Sequence, residues 1–270
     1  MRRAAQLVAA FLRRDFLVDI SYRGSFVFTF AGAIFSLWSL YFLGEAFGNA
    51  SPMIKAAGGD YFRFALVGVT VAVPLRAGMA GVTRRVRELQ LMGGLETLAS
   101  APVPPFGSVL LLALYPLLQA VFHGMVMLVL GILVFGARFP GASISGAAAG
   151  LLLGVAAYMA IGILSASFVI LLKRGDPVAW AVDAMTFLLS GIFYPVEVLP
   201  KILQPVSALV PATHALRALR GALLHGQGID QLGPELAALA IFAAVLTPLS
   251  AVVLRLCLRQ AARQGSLGQA

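Results

Sequence analysis

Charge is scarce in this sequence. Only 11% of the 270 residues are charged and 60% are hydrophobic, whereas an ordinary soluble domain carries about 25% charged residues. The shortage excludes a typical water-soluble globule, because even an all-helical soluble core keeps polar faces on most of its helices. Cysteine is almost missing as well. Cys257 stands alone inside the last apolar run, so an internal disulfide and a cysteine metal cluster are both excluded. The three histidines, His123, His214 and His225, are scattered and lack zinc-protease spacing. There is no Gly-Lys pair to close a nucleotide phosphate loop. Ser143, Ser145, Ser165 and Ser167 lie near glycines but form no Gly-x-Ser-x-Gly elbow. No catalytic residue, metal site or cofactor on this chain is therefore expected.

What the chain does have is long apolar runs, with a mean hydropathy of +0.93. A run of about 20 apolar residues suffices to cross about 30 Å of hydrocarbon as a helix. The expected fold is an all-α polytopic membrane protein, a single domain with six spans at 25–44, 61–82, 106–136, 146–172, 178–194 and 235–257. The start does not read as a cleavable leader, because Arg13, Arg14, Asp15 and Asp19 interrupt its apolar run. Leu7, Val8, Phe11, Leu12, Phe16, Leu17 and Ile20 have helix-like spacing among those charges. Residues 1–23 are thus expected to form an amphipathic helix in the membrane interface.

The formal charge of +9 and isoelectric point near 10.4 point to basic residues held at the cytoplasmic membrane edge rather than to nucleic acid. Arg2, Arg3, Arg13, Arg14, Arg23, Arg84, Arg85, Arg87, Lys173, Arg174, Arg255, Arg259 and Arg263 fall on one side of the six spans. Lys55, Arg63, Arg138, Lys201, Arg217 and Arg220 fall on the other. Both termini and the 84–101 segment are accordingly expected to be cytoplasmic. Away from the first and last turn of each span, charge is confined to Arg76, near the cytoplasmic end of its span and able to snorkel, and Asp183. Gln119 and His123 lie one turn apart in the third span and are candidate pathway polar residues. Packing polarity weighs more than a proton relay for that pair. In the fourth span Gly146, Gly150, Gly154, Ala157 and Gly162 allow close helix approach.

Two stretches stand out. "RRVRELQLMGGLETLASAP" at 84–102 is polar between two spans. Leu91, Leu95 and Leu98 make a narrow apolar edge, flanked by Glu88 and Glu96. Gly93-Gly94 predicts a bend between two short helical pieces, because each glycine weakens a helix by about 1 kcal/mol relative to alanine. Pro102, Pro104 and Pro105 then stop the segment. From the residues alone, a docking element and a solvated basic loop are equally good readings. The second stretch, "SGIFYPVEVLPKILQPVSALVPATHALRALRGALLHG" at 190–226, is cut by Pro195, Pro200, Pro205 and Pro211. Thr213 is expected to cap a helix from His214 to His225, with Gly226 at its end. That helix is too short and polar to span, so 195–226 is expected to be re-entrant, its backbone sheltered by protein or a water-lined cavity. Arg217 and Arg220 are candidates to meet an anionic headgroup or glycan, with simple interfacial anchoring the weightier reading.

The "GGLETLASAP" and "SGIFYPVEVLP…LVPATHALRALRGALL" motifs resemble the ABC-2 family, membrane subunits of ATP-binding-cassette exporters, over nearly the whole chain. Glu96 matches the last acid of the first motif, whereas Gly94 stands where the family has threonine. The resemblance implies a permease (membrane-subunit) role in the cytoplasmic, or inner, cell membrane. Two ATPase chains carry the ATP and Mg, and a second permease chain, identical or different, completes the pathway. It also implies that Glu88, Leu91, Gly94, Leu95, Glu96 and Leu98 couple to the ATPase. Gly191, Phe193, Tyr194, Pro195, Pro211, Thr213, Arg217 and Arg220 would form an outer re-entrant gate. The cargo would be an amphipathic or lipid-like compound such as a drug, lipid or lipid-linked glycan. Phe26, Phe28, Phe30, Phe187, Phe193 and Tyr194 are aromatic candidates for its path, although aromatic residues in spans more often serve packing. An ion-coupled secondary transporter and an integral-membrane lipid-modifying enzyme are the alternatives.

Overall fold

The computed structural model describes Arg13 and residues 23–47, 60–93, 105–172 and 175–263. These form helices α1 (Arg23–Phe47), α2 (Tyr61–Leu91), α3 (Pro105–Leu133), α4 (Ile144–Leu172) and α5 (Pro177–Leu189), then a 3-10 turn Val196–Val198. Helices α6 (Leu203–Ser207), α7 (Pro211–Leu224) and α8 (Gly233–Arg263) follow. No strand occurs among the described residues. Helices α2, α3, α4 and α8 are long and apolar enough to cross a membrane. The expected interfacial helix at 1–23 lies almost wholly outside the described residues.

Local chemistry sets the helix ends. Asp60 caps α2, accepting from the Arg63 backbone N–H at 3.0 Å and pairing with Arg63 Nε at 2.6 Å. Asp176 caps α5 through Ala179 N–H at 2.9 Å, with Pro177 in the first turn. The span expected at 61–82 continues as helix to Leu91, because Arg84, Arg85 and Arg87 favour helix and nothing interrupts it. The first of the two expected short helical pieces is therefore the last turns of α2. The helix stops at Met92, whose N–H bonds the Glu88 carbonyl, and Gly93 takes the left-handed conformation at φ +68°. At the other extreme the span expected at 178–194 ends at Leu189, because Ser190 closes the helix and Gly191 at φ +82° turns the chain.

The central layer is α2 against α4, and glycine decides how close they come. A Cβ on Gly162 would lie 2.6 Å from the Met79 carbonyl oxygen and 2.8 Å from Met79 Cα. Gly78 faces Met159 in return. Around this crossing Leu75, Met79, Val155, Tyr158 and Ile161 are buried together with Leu216 and Leu219 of α7. A second core of Val82, Val86, Val109, Ile163, Ile170, Leu254 and Leu258 ties α2, α3, α4 and α8 at the end where the arginines gather, the basic end. Helices α2, α3 and α8 each contain a proline, and in α2 a neighbouring helix approaches the carbonyl it frees. Pro74 lacks the N–H that would bond the Thr70 carbonyl, and Gly124 of α3 brings its backbone against that carbonyl, a Cβ there meeting it at 2.9 Å. The small residues of α4 are used within the chain: Gly146 meets Leu232, Gly150 meets Ala218, and Gly154 meets Ala215 and Leu75.

Candidate functional site

Helices α2, α3 and α5 leave between them a cleft of about 980 Å³. Alpha-helical spacing explains its composition. Val69, Ala72, Val73, Arg76, Ala77, Ala80 and Arg84 recur at three and four residues, so α2 presents one stripe to the cleft. Gln119 and His123 of α3, also one turn apart, reach the same space. Opposite them α5 supplies Trp180, Asp183 and Phe187, and the chain after it adds Ile192 and Phe193. The two candidate pathway polar residues thus lie in one cleft, as do two of the six aromatic candidates.

Residues 107 positions apart meet across this space. Arg76 Nε donates to Asp183 Oδ1 and Arg76 Nη2 to Asp183 Oδ2, both at 3.1 Å, a bidentate pair. Arg76 lies about 22 Å along the helix axis from the start of α2, yet 62% of its side chain is open, against 30% for Asp183. Rather than snorkelling alone, it is held by α5. The same helix is pinned to α4 by the Tyr158 and Thr186 hydroxyls, 2.5 Å apart in the core. Asp183 and Arg76 each stand out as a rare span charge, but their partnership needs the folded chain.

The end of the bundle opposite the basic one is closed by the 190–226 hairpin. Its helix begins at Pro211, not at His214, because Pro211 has the fixed φ of a first helical residue. Thr213 therefore does not cap it. Its hydroxyl instead donates to the Ser207 carbonyl at 2.7 Å, and the Ser207 hydroxyl reaches the Leu189 carbonyl at 2.7 Å, sewing the hairpin to α5. Tyr194 hydrogen-bonds the Leu188 carbonyl. Gly226, at φ +65°, ends the helix as its sequence position suggests. Pro195 precedes the 3-10 turn.

Arg220 corrects an expectation. Instead of facing a headgroup it turns inward, Nη1 donating to the Gly191 carbonyl at 2.7 Å and Nη2 to the Ile192 carbonyl at 2.9 Å. Nη2 also reaches the Phe64 carbonyl at 3.3 Å, and the guanidinium lies 3.4 Å from the Phe64 ring centroid. Gly68 makes this possible, since a Cβ there would stand 2.3 Å from the Ile192 oxygen. Sequence reading missed Gly68 entirely; only its place one turn after Phe64 gives any signal. Arg217 remains exposed, 3.8 Å from Glu235.

His214 Nδ1 lies 2.5 Å from Glu235 Oε2, and its Nε2 2.9 Å from the Ala208 carbonyl. The hydrogen bond to Glu235 raises the imidazole pKa above its usual value, opposed by burial and by Arg217. A raised pKa adds stability that is complete below the ordinary value of about 6.5 and lost as pH rises through the folded value. The melting temperature should therefore fall more between about pH 6 and pH 8.5 in the natural chain than in His214→Gln. Parallel falls would remove this role for the pair.

Of the six candidate coupling residues, the structure describes Glu88 and Leu91. Glu88 pairs with Arg85 at 3.1 Å, and Leu91 is exposed at the end of α2. Gly94, Leu95, Glu96 and Leu98 lie outside the described residues. No curated protein matches the chain. The family model described as ABC-2 type transporter matches residues 6–224. That match runs from ahead of α1 to the last residue of α7, takes in both the cleft and the inward-turned Arg220, and covers well over half of an all-helical, multi-pass chain: the protein belongs to the ABC-2 type transporter family, membrane permeases that work with an ABC ATPase.

Proposed function

We propose that this chain is the permease of an exporter, one of two permease chains working above two ATPase subunits. The observation that carries this reading is the open Arg76–Asp183 pair. Charges at membrane depth face a bundle interior or a water-filled cavity, not lipid. An Arg76 side chain 62% open on a lone chain therefore supports a second permease chain facing the cleft, with the cargo path between them. The basic end would be cytoplasmic, and with it both termini, by the distribution of Lys and Arg. Glu88, Leu91, Gly94, Leu95, Glu96 and Leu98 would engage the ATPase there. Closure of the nucleotide-bound ATPase pair would pull on the last turns of α2, which run without a break into the cleft stripe. The hairpin at 190–226 would close the outer end until that pull arrives, a shift of population between two states with different contacts.

An ion-coupled carrier is less well supported. Among the described residues Asp183 is the one carboxylate lining the cleft, and it is already engaged by Arg76. A lipid-modifying enzyme would need several polar groups converging on one point.

Affinity purification of the chain from its own membrane should bring an ATPase subunit with it. Leu95→Ala combined with Glu96→Ala should leave the chain inserted but reduce ATP-dependent export and permease-stimulated ATPase activity at least about tenfold, as expected for lost interface anchors. Export that persists at full rate would refute the docking assignment.

A further inference from the structure

The cleft is polarised along its length. Toward the hairpin end it is walled by Val69, Val73, Phe187 and Phe193; toward the basic end its α2 stripe carries Arg76 and then, two turns on, Arg84. The Arg84 side chain is exposed and has no ion-pair or hydrogen-bond partner among the described residues. Ala77, Ala80 and Gly81 leave the space between the two guanidinium groups uncrowded. Eight residues of helix separate the two arginines by about 12 Å, with the Asp183 carboxylate countering only the first.

We infer that this cleft selects amphiphiles with an anionic head, phosphate or carboxylate, seated between Arg84 and Arg76 with the apolar part against Val69, Val73, Phe187 and Phe193. The inference rests on the permease reading and names the cargo class for that same site. Three physical points support it. An amphiphile in the leaflet at the basic end has its head at the interface and its tail toward the midplane, which is the polarity of the cleft. Guanidinium groups hold phosphate and carboxylate through paired N–H donors, and a low-dielectric wall strengthens that attraction. The balance of formal charge is also positive, two arginines against one aspartate, so a neutral or cationic head would leave Arg84 uncompensated.

Asp183 then acts as the resident counter-ion. It holds Arg76 while the cleft is empty and yields it when a cargo anion arrives, so cargo competes with the α2–α5 ion pair. This gives Arg84 and Asp183 opposite effects on binding, a signature that general damage to the fold does not produce.

The test uses the chain purified with the ATPase subunit it retains, in phosphatidylcholine nanodiscs without nucleotide. Binding of radiolabelled 1-oleoyl-lysophosphatidate is compared with that of 1-oleoylglycerol, which has the same chain and no charge. The anionic probe should bind saturably and at least about tenfold more tightly, the worth of one charge-assisted hydrogen bond. Arg84→Gln should weaken it by a similar factor, Arg84→Lys should restore most of it, and Asp183→Asn should strengthen it severalfold. Competition by two-chain phosphatidate placed in the disc would identify a membrane lipid as the source of the anionic head; its absence would point to a single-chain cargo. Equal binding of the two probes would overturn the inference, and so would Arg84→Gln and Asp183→Asn shifting affinity in the same direction or not at all. Recovery of the ATPase on the same preparation is scored separately, so a failed permease reading is distinguishable from a failed cargo assignment.

Discussion

Arg220→Leu is expected to abolish transport and to leave the hairpin detached from α2 and α5, although the side chain meets neither cargo nor partner in the proposed scheme. Two helices and a turn converge on its guanidinium: α7 supplies it, the turn after α5 offers the Gly191 and Ile192 carbonyls, and α2 offers the Phe64 ring and carbonyl. The Gly191 and Ile192 carbonyls lie in a turn and have no helix ladder to fall back on. Stranding a buried acceptor costs about 1–3 kcal/mol each, and the lost cation–π contact adds about 0.5–2 kcal/mol. Removing the charge recovers some desolvation, so a net loss of about 3 kcal/mol is the expected scale. Lysine should not substitute well, because one ammonium cannot reach two carbonyls in a planar fork while stacking on a ring. Gly68→Ala attacks the same junction from the other side, its Cβ falling on the Ile192 oxygen at 2.3 Å and on Arg220 Nη2 at 2.8 Å. Protease accessibility of the 190–210 segment, measured with transport in sealed vesicles, checks both variants. An Arg220→Leu chain that transports normally and protects this segment would remove Arg220 as the hairpin's anchor.

The second large effect is expected at Gly162, where α4 crosses α2. Atoms added here meet backbone, not a side chain that can swing aside: the Met79 oxygen at 2.6 Å, Met79 Cα at 2.8 Å and the Gly78 oxygen at 3.1 Å. Either the helices separate or one bends, and both open the core around Leu75, Met79 and Tyr158. Overpacking of this kind costs about 1–3 kcal/mol and more when backbone must move, against about 1 kcal/mol gained by replacing a helical glycine with alanine. The steric term wins, so Gly162→Ala should destabilise, and Gly162→Val should prevent recovery of folded protein from the membrane. Gly32 of α1 provides the control, because a Cβ there meets nothing within 4 Å; Gly32→Ala should be neutral or mildly stabilising. Thermal unfolding in detergent reads the difference. Equal stability of the Gly32→Ala and Gly162→Ala chains would contradict the close crossing. In a membrane such crossings matter more than hydrophobic burial, since lipid is as apolar as the helix surfaces it would replace.

Legibility varied with the kind of interaction. The long helices could be read because hydropathy over 20 residues is a local property: the expected spans 61–82, 146–172 and 235–257 fall within α2, α4 and α8, and 106–136 overruns the end of α3 at Leu133 by three residues. Their ends were read less well. Arginines after residue 83 suggested that the span stops at 82 and a separate short helix follows, yet arginine is a good helix former and α2 simply continues. Pro211 was read only as a break and Thr213 as the cap, whereas the fixed φ of proline makes Pro211 the first helical residue. The cleft was half legible: Gln119 and His123 share a face by spacing, and Arg76 and Asp183 were conspicuous as charges among apolar residues. That Arg76 and Asp183 hold each other was not, because no local rule connects positions 107 residues apart.

Composition and local pattern alone determined that this chain is a multi-span helical membrane protein, where its long helices run, and which family motifs it carries. Those are properties of short windows, set by transfer energy and backbone preference. Tertiary structure alone decided that Arg220 faces inward, that Gly68 and Gly162 are seats for neighbouring backbone, and that Arg76 and Asp183 form one site. Each of these depends on which distant segment arrives within about 3 Å, and a side chain's role changes entirely with what it meets there.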